Sequence, residues 1–290
     1  MVSLENNILK IGVLTKGAEL CSIVKRQTGK EYIWQANPDI WANHAPILFP
    51  IVGGLKSGSY TFEGKEYFLP RHGFVRNNNN VKLTNQSDGS LIFSLSDSEE
   101  TLKNYPFQFN LRIIYLLEKN NLTVIHQVFN PGQNPLYFSI GGHPAFNVPL
   151  LEDEKYEDHY LQFDRDLDLE TNLLTNDGLI SSQTRIVTKN ESRIDLHQDL
   201  FNKDALIFRD IESKRVSLKS KKSGEILSVE FDDFNDLGIW AKPASPFVCI
   251  EPWLGHADIE NTTGDIKTKE GIIELMPSAE FSASYTITIE

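Results

Sequence analysis

Residues 281–290 read Phe-Ser-Ala-Ser-Tyr-Thr-Ile-Thr-Ile-Glu, and this stretch decides the fold class. Apolar and polar side chains alternate strictly along it, which is typical of an antiparallel strand with one buried and one wet face. The same alternation recurs at 111–117 and 122–128, where Asn120-Asn121 marks a hairpin turn. Many short strands without an alternation of strands and helices predict an all-β sandwich or barrel.

Helical signals are sparse. Residues 97–104 predict one or two helical turns, with Asp97 or Ser98 as the cap and Tyr105-Pro106 as the stop. The chain contains no internal repeat, no linker and no long low-complexity block. A length of 290 residues is compatible with one large all-β domain. We therefore expect residues 1–290 to form a single domain.

Charge and composition exclude several classes of partner. The net charge of −12 argues against nucleic acid or an anionic membrane as the main partner. No apolar run approaches the ~18 residues of a membrane helix, and residues 1–10 lack the features of a secretory signal. Cys21 and Cys249, the only cysteines, both lie in apolar runs and predict buried free thiols. These features predict a cytoplasmic protein whose partner is a small molecule.

Residues 139–147 read Ser-Ile-Gly-Gly-His-Pro-Ala-Phe-Asn and follow an apolar run, 136–140, that predicts a strand. The two glycines lack side chains, which predicts that a ligand can approach the backbone there. Pro144 favours an extended conformation for His143 and interrupts the strand ladder. A titratable side chain on a rigid strand end is a candidate catalytic group; the alternative is a histidine that merely caps a strand.

Residues 248–253 read Val-Cys-Ile-Glu-Pro-Trp and repeat this arrangement, with an acid at the end of an apolar strand before a proline. Alternation places Glu251 on the same face as Phe247 and Cys249, so we expect burial to raise its pKa. An acid and a histidine, each held extended by a following proline, are a candidate acid/base pair.

These two motifs, together with Arg-His-Gly-Phe-Val-Arg at 71–76, resemble the aldose 1-epimerase (galactose mutarotase) family. Within it, the chain is most similar to the mutarotase-related bacterial branch often called LacX-type. The resemblance spans nearly the whole chain, with the motifs in the expected order. It implies a large antiparallel β-supersandwich with the site in a concave face. It also implies an isomerase that interconverts the α and β anomers of a free hexose such as galactose or glucose.

The family pattern, carried to matching positions, makes Glu251 the base on the anomeric hydroxyl and His143 the acid on the ring oxygen. This assignment needs Glu251 ionised and His143 protonated in the free enzyme. Ring opening moves protons but no electrons, so it requires no cofactor or metal. The sequence also lacks His-Glu-x-x-His and Cys-x-x-Cys metal motifs.

The resemblance also implies sugar-binding residues. His72 would hydrogen-bond the sugar, and Arg71 or Arg76 would bind ring hydroxyls or the ring oxygen, since a guanidinium fork suits vicinal hydroxyls. For Arg76, a structural ion pair is an equally good interpretation. The family's sugar-binding aspartate has no certain counterpart here.

Three further residues are substrate-binding candidates. Trp253 follows Glu251 by two positions, and its indole suits either the apolar face of a sugar or core packing. Trp240 and Lys242 lie at a third strand end before a proline and are expected to line the same cleft.

Three other functions remain open. A related branch acts on hexose 6-phosphates, but it usually carries an Arg where this chain has Asn43 and His44. A non-catalytic carbohydrate-binding protein on the same scaffold is the second alternative. A glycosidase, the third, needs two carboxylates; Asp258 is a candidate beside Glu251, but the sequence contains no clear second acid.

Overall fold

The computed structural model describes residues 1–290, and its regular secondary structure is almost entirely β-strand. In chain order the strands are β1 (Val2–Glu5), β2 (Leu9–Val13), β3 (Leu20–Lys25), β4 (Lys30–Glu31), β5 (Ile47–Leu48), β6 (Ser59–Phe62), β7 (Lys65–Phe68), β8 (Lys82–Gln86), β9 (Ser90–Ser96), β10 (Asn110–Glu118), β11 (Asn121–Phe129), β12 (Leu136–Phe138), β13 (Ile140–Gly142), β14 (Ala145–Asn147), β15 (His159–Leu174), β16 (Ile180–Asp195), β17 (Leu206–Phe208), β18 (Arg215–Ser220), β19 (Gly224–Glu230), β20 (Asp236–Trp240), β21 (Phe247–Leu254), β22 (Ile273–Leu275) and β23 (Glu280–Ile289). The one α-helix, α1, spans Glu99–Asn104, and short 3-10 turns lie at Lys16–Ala18, Lys56–Gly58, Val75–Asn77, Tyr156–Asp158 and Ile266–Thr268.

The largest sheet has nine antiparallel strands in the order β16-β15-β18-β19-β23-β11-β10-β9-β8. Near its centre, β10 pairs with β11 without a register shift from Asn110 opposite Phe129 to Glu118 opposite Asn121. The C-terminal strand β23 pairs with β11 on its other side. The hairpin and the terminal strand that the alternation predicts are both confirmed, and so is the all-β class.

A second sheet, in the order β17-β20-β21-β13-β5, carries β14 as an additional partner of β21. It packs face to face on the nine-stranded sheet. A Cβ atom added to Gly142 of β13 would lie 2.7 Å from the Tyr285 ring of β23, so the two sheets approach closely there. Their facing side chains belong to one core of 72 buried hydrophobic residues that extends from Leu4 to Ile289. This packing is the sandwich that the strand pattern predicts.

The prediction of a single strand over 136–140 is wrong. The chain divides there into β12, which pairs with β22, and β13, which pairs with β21 and β5. Between them the buried Ser139 donates its backbone N–H to the carbonyl of Pro50, 2.8 Å away. The run is apolar throughout because both pieces are buried, and apolarity alone does not reveal a change of sheet.

The helix is confirmed, with Ser98 rather than Asp97 as its cap. The Ser98 hydroxyl accepts from the Thr101 N–H, and the Thr101 hydroxyl accepts from the Ser98 N–H, so the two residues form a capping box. Both cysteines are buried free thiols, as predicted. The helices that the structure contains are all too short or too polar to cross a membrane.

Candidate active site

His143 lies in the gap between β13 and β14, two short strands that pair with the same neighbour, β21. Pro144 follows it in the gap and cannot donate to the ladder. The backbone on each side of His143 is held by its pairing with β21, whereas His143 itself belongs to neither strand. The ladder therefore stops where the sequence predicts.

Gly141 and Gly142 have a different role from the predicted one. A Cβ atom on Gly141 would lie 2.6 Å from the indole Cδ1 of Trp253, and one on Gly142 would lie 2.7 Å from the Tyr285 ring. These glycines therefore make room for aromatic side chains of neighbouring strands, not for a ligand. Close packing against protein produces the same sequence signal as close approach of a ligand.

Glu251 lies inside β21, which continues through Pro252 to Leu254, so the prediction that the strand ends at Glu251 is wrong. The N–H of Ile250 donates to the Pro144 carbonyl. Backbone N–H groups two residues apart in a strand face the same neighbour, so the backbone nitrogen of residue 252 faces the same side as that of residue 250. The missing N–H of Pro252 therefore faces the interruption between β13 and β14. The two prolines occupy one break in the ladder, which is why β21 tolerates its proline.

This single break brings the acid and the histidine together. His143 Nε2 lies 3.2 Å from Glu251 Oε2, although the residues are far apart in the sequence. His143 is 7% exposed and Glu251 is 1% exposed. The expected burial of Glu251 beside Cys249 is confirmed.

Burial sets the protonation of this pair. It raises the pKa of Glu251 well above its usual range, and the Asp204 charge adds to the shift. Burial also lowers the pKa of His143, and the positive charges of Arg76 and Arg71 act in the same direction. The free protein thus favours a neutral acid beside a neutral imidazole, the reverse of the ion pair that the family assignment needs. Both forms hold the same number of protons, so transfer of one proton from Glu251 to His143, 3.2 Å away, interconverts them without changing the net charge.

Aromatic rings enclose the imidazole. The Trp41 indole stacks on His143 with ring centroids 5.1 Å apart and an interplanar angle of 26°, and Trp240 meets it edge-on at 5.9 Å. Lys242 does not line the cavity; its amine donates to the carbonyls of Asp39 and Ile40. Lys242 therefore anchors the loop that carries Trp41.

His72 has a defined tautomer. Its Nδ1 accepts a hydrogen bond from the Gly53 N–H at 3.1 Å, so the Nε2 atom carries the proton of the neutral ring. Burial and the neighbouring His143 lower the pKa of His72 well below its usual range. The ring centroids of His72 and His143 are 5.6 Å apart. His72 thus presents one neutral N–H donor to the cavity, beside the candidate acid/base pair.

The two arginines of the 71–76 loop also face the cavity, and neither belongs to an ion pair. The Arg71 Nη2 donates to the Gly178 carbonyl at 3.3 Å, and the buried Nε of Arg76 has no hydrogen-bond partner. The interpretation of Arg76 as a structural ion-pair partner is therefore wrong. The chain as a whole is acidic, with a net charge of −12, whereas this part of the cavity carries two guanidinium groups that form no ion pair.

These groups open onto a cavity of about 850 Å³, near the upper end of the ~300–1,000 Å³ typical of ligand sites. It contains seven of the eight residues that the sequence singles out: Glu251, His143, His72, Arg71, Arg76, Trp253 and Trp240. Trp253 lines the cavity although it is only 5% exposed. Its ring also belongs to a small apolar cluster with Leu48 and Ile207, so Trp253 packs in the core and faces the cavity.

Sequence reasoning missed Trp41, Asn176 and Asp204, which also line the cavity. All three lie in connections between strands, where no period or strand end marks them. Asp204 has a backbone φ of 73° and accepts the Ala205 N–H on Oδ1, which leaves Oδ2 for a ligand. No signal in the sequence distinguishes it from the many other loop aspartates.

One group of side chains has the donor set for a metal ion. A ring nitrogen of His143, the Cys249 sulfur and a Glu251 oxygen lie within 4.8 Å of one another. A thiolate, an imidazole and a carboxylate together suit zinc. Two of the three are the candidate acid/base pair, so a metal bound there would occupy both candidates.

Comparison with known proteins identifies the family. A family model described as Aldose 1-epimerase matches residues 1–274. The chain is 36% identical to Protein LacX, chromosomal, of Lactococcus lactis subsp. lactis, over 99% of each chain. The structure of a galactose mutarotase related enzyme from Lactobacillus acidophilus superimposes with a TM-score of 0.94 at 38% identity, covering 100% of this chain and 97% of that one. A galactose mutarotase-like protein from Lactobacillus casei gives 0.92 at 28% identity, covering 100% of both.

The matches extend over nearly the whole chain, and the TM-scores show that these neighbours share its fold. They confirm the family, the LacX-type branch and the galactose mutarotase-like fold that the three motifs predict. The chain belongs to the aldose 1-epimerase family.

Proposed function

We propose that this protein is a mutarotase that interconverts the α and β anomers of a free hexose such as glucose or galactose. Glu251 acts as the base on the anomeric hydroxyl and His143 as the acid on the ring oxygen. The observation that carries the proposal is the buried 3.2 Å contact between His143 and Glu251 at the wall of a sugar-sized cavity. Positioned acid/base groups typically contribute 10²–10⁴-fold each.

The proton balance depends on the one proton that can lie on either Glu251 or His143. When a sugar binds, the anomeric hydroxyl donates to Glu251 and the ring oxygen accepts from His143, which requires the proton to move from Glu251 to His143. Glu251 then takes the hydroxyl proton, His143 gives its proton to the ring oxygen, and the C1–O5 bond breaks. Rotation about C1–C2 and the reverse transfers close the ring on the other face. The enzyme ends with the protons it started with.

The neighbouring groups supply orientation. The His72 Nε2–H and the Arg71 and Arg76 guanidinium groups are donors for the ring oxygen and hydroxyls. Asp204 is an acceptor for sugar hydroxyls. Trp253 and Trp240 are surfaces for the apolar face of the ring. No cofactor is assigned to this chemistry, since no electron is transferred.

The test is polarimetry on freshly dissolved α-D-glucose and α-D-galactose with wild type, Glu251→Gln and His143→Asn at equal concentration. Wild type should speed the approach to equilibrium, and each variant should lose roughly 10²–10⁴-fold of that gain. Glu280→Gln and His197→Asn, both at exposed positions, are matched controls that should retain it. Full activity in Glu251→Gln would exclude the proposed base.

A second candidate, a hexose-6-phosphate mutarotase, is favoured by the two unpaired arginines at the cavity. Anomer-exchange NMR on glucose and glucose 6-phosphate separates the two functions. A clearly lower KM for the phosphate that rises in Arg76→Gln would favour the second. Saturable sugar binding that survives Glu251→Gln, with no exchange by wild type, would instead indicate a non-catalytic binding protein.

The second carboxylate that the sequence suggests for a glycosidase, Asp258, is not available for that role. Asp258 does not line the cavity, and both of its oxygens are engaged, with the Lys269 amine at 3.0 Å and the Lys56 N–H at 3.0 Å. We infer further that residues 1–290 act as one domain, because one core joins both ends of the chain. A cytoplasmic location is our inference from the two free thiols.

A further inference from the structure

Lys242 begins a tight turn in the connection between β20 and β21. The turn Lys242-Pro243-Ala244-Ser245 closes with a hydrogen bond from the Ser245 N–H to the Lys242 carbonyl at 3.0 Å. Ala244 has a backbone φ of 60°. A proline at the second position and a positive φ at the third characterise a type II turn. The turn therefore fixes the backbone from which the Lys242 side chain extends.

The Lys242 amine contacts the end of a single helical turn in the connection between β4 and β5. That turn ends at Trp41, whose N–H donates to the Asn37 carbonyl at 2.8 Å. The carbonyls of Asp39 and Ile40 accept from the Lys242 amine at 3.3 Å and 3.0 Å, and no other group of the protein donates to them. A lysine is favoured there because the last carbonyls of a helical turn are unpaired and carry partial negative charge.

The position of this turn decides where the Trp41 indole lies. The indole stacks on the His143 imidazole at a centroid distance of 5.1 Å and on the Phe247 ring at 5.5 Å, and it meets Trp240 edge-on at 5.5 Å. Trp240 and Phe247 belong to the paired strands β20 and β21, which fix them. The turn that carries Trp41 belongs to no strand, so side-chain contacts must hold it in place.

Two side chains donate hydrogen bonds to the end of the turn. The Trp34 indole N–H donates to the Trp41 carbonyl at 2.8 Å, but this bond spans only 7 residues and is local. The bonds from Lys242 span 202 and 203 residues, and they join the turn to the connection that leads into β21. Because β21 also carries Glu251, Lys242 ties the Trp41 turn to the sheet that holds the candidate acid/base pair.

We propose that Lys242 is a positioning residue, which holds the Trp41 indole against the His143 imidazole and so supports proton transfer without contacting the sugar. Lys242 is exposed and does not line the cavity, which separates this role from substrate binding. The inference rests on the proposed mutarotase function for its kinetic readout, but fluorescence tests the contact with Trp41 separately.

The kinetic test measures anomer exchange of glucose and galactose by NMR in three lysine variants. Lys242→Met keeps an unbranched apolar stem but removes the donors, and it should lower kcat about 3- to 10-fold with little change in KM. Lys242→Arg keeps donors for the two carbonyls and should recover most of the loss. Lys189→Met, at an exposed lysine without hydrogen bonds or ion pairs, is the matched control and should behave as wild type. An unchanged kcat in Lys242→Met would overturn the proposal.

A double-mutant cycle tests whether Lys242 acts through Trp41. In a Trp41→Leu background the indole is absent, so adding Lys242→Met should change kcat less than about twofold. The full 3- to 10-fold loss in that background would show that Lys242 acts by another route and would overturn the proposal. A loss that is expressed as a raised KM in both backgrounds would instead indicate direct contact with the sugar.

Quenching of tryptophan fluorescence by acrylamide tests the contact without a substrate. Lys242→Met should increase the quenching, because a released turn exposes the half-buried Trp41, and the increase should disappear in the Trp41→Leu background. That result without anomer exchange by wild type would support the contact and reject the mutarotase function. Exchange by wild type, with quenching and kcat unchanged in Lys242→Met, would support the function and reject the positioning role. Absence of both effects would reject both.

Discussion

The Trp41 indole stacks on the His143 imidazole at a centroid distance of 5.1 Å, and this contact bears on how a buried histidine can act as an acid. Burial and two nearby arginines lower the pKa of His143, so they oppose the protonated form. An indole face attracts a cation by roughly 1–2 kcal/mol when the pair is desolvated. Trp41 therefore stabilises the imidazolium only when the proton reaches it.

Replacing Trp41 by leucine should lower kcat about 5- to 30-fold, which is the rate equivalent of ~1–2 kcal/mol of lost imidazolium stabilisation. Trp41→Phe keeps an aromatic face and should recover most of the loss. The pKa of His143, measured by NMR of the imidazole, should fall in Trp41→Leu. An unchanged pKa with reduced kcat would instead indicate that Trp41 acts through the sugar.

Glu251→Gln should change the pH dependence of stability as well as activity. Burial raises the folded-state pKa of Glu251, so the folded protein retains a proton that the unfolded chain releases above about pH 4.5. The free energy of unfolding of wild type therefore falls as the pH rises above that value, at up to ~1.4 kcal/mol per pH unit. Glutamine does not ionise, so the free energy of unfolding of Glu251→Gln should not fall in this way as the pH rises. Urea unfolding at pH 5 and pH 8 should show the variant gaining on wild type, and parallel curves would contradict the burial argument.

His126 should change the pH dependence of stability in the opposite direction to Glu251. It is fully buried on β11 beside the rings of Phe234 and Tyr285, and burial lowers its pKa to about 4 from the ordinary 6.5. The unfolded chain therefore binds a proton below pH 6.5 that the folded protein refuses until about pH 4. Between these values wild type should lose roughly 3 kcal/mol of stability relative to His126→Leu. Equal losses in both proteins, measured by urea unfolding at pH 7 and pH 4.5, would show that His126 is not responsible.

The sequence predicts those parts of the fold whose pattern is local. Residues 281–289 alternate because one face of β23 packs on the core, and burial on one side is enough to produce that period. His143 and Glu251 are identifiable because each precedes a proline, and the two prolines share one break in the ladder. Trp41 and Asp204 carry no such signal, because long-range folding alone brings their loops to the cavity. The sequence does not distinguish the two possible roles of Gly141 and Gly142, because a neighbouring aromatic ring and a ligand require the same missing side chain.

Zinc should inhibit the activity, and EDTA should leave it unchanged, since the proposed chemistry uses no metal. A zinc ion bound by His143, Cys249 and Glu251 would hold the acid/base pair. Burial raises the pKa of the Cys249 thiol well above its usual range, so binding must displace its proton and should weaken as the pH falls. Cys249→Ala should raise the inhibitory zinc concentration about tenfold or more, whereas Cys21→Ala should not. Equal inhibition of both variants would place the inhibitory zinc elsewhere.

β13 and β21 lie too close together at Gly141 to accept a side chain there. A Cβ atom on Gly141 would lie 2.6 Å from Trp253 Cδ1 and 2.8 Å from the Pro252 carbonyl oxygen, and the backbone oxygen cannot rotate away. Gly141→Ala should therefore push the two strands apart and cost about 1–3 kcal/mol of stability by overpacking. Gly89→Ala is the matched control, because the nearest atom to its Cβ would be 3.9 Å away. Because β13 leads directly into His143 and β21 carries Glu251, the same displacement should lengthen their 3.2 Å contact and lower kcat more than it raises KM. Normal stability and activity in Gly141→Ala would mean that the strands yield without moving the pair.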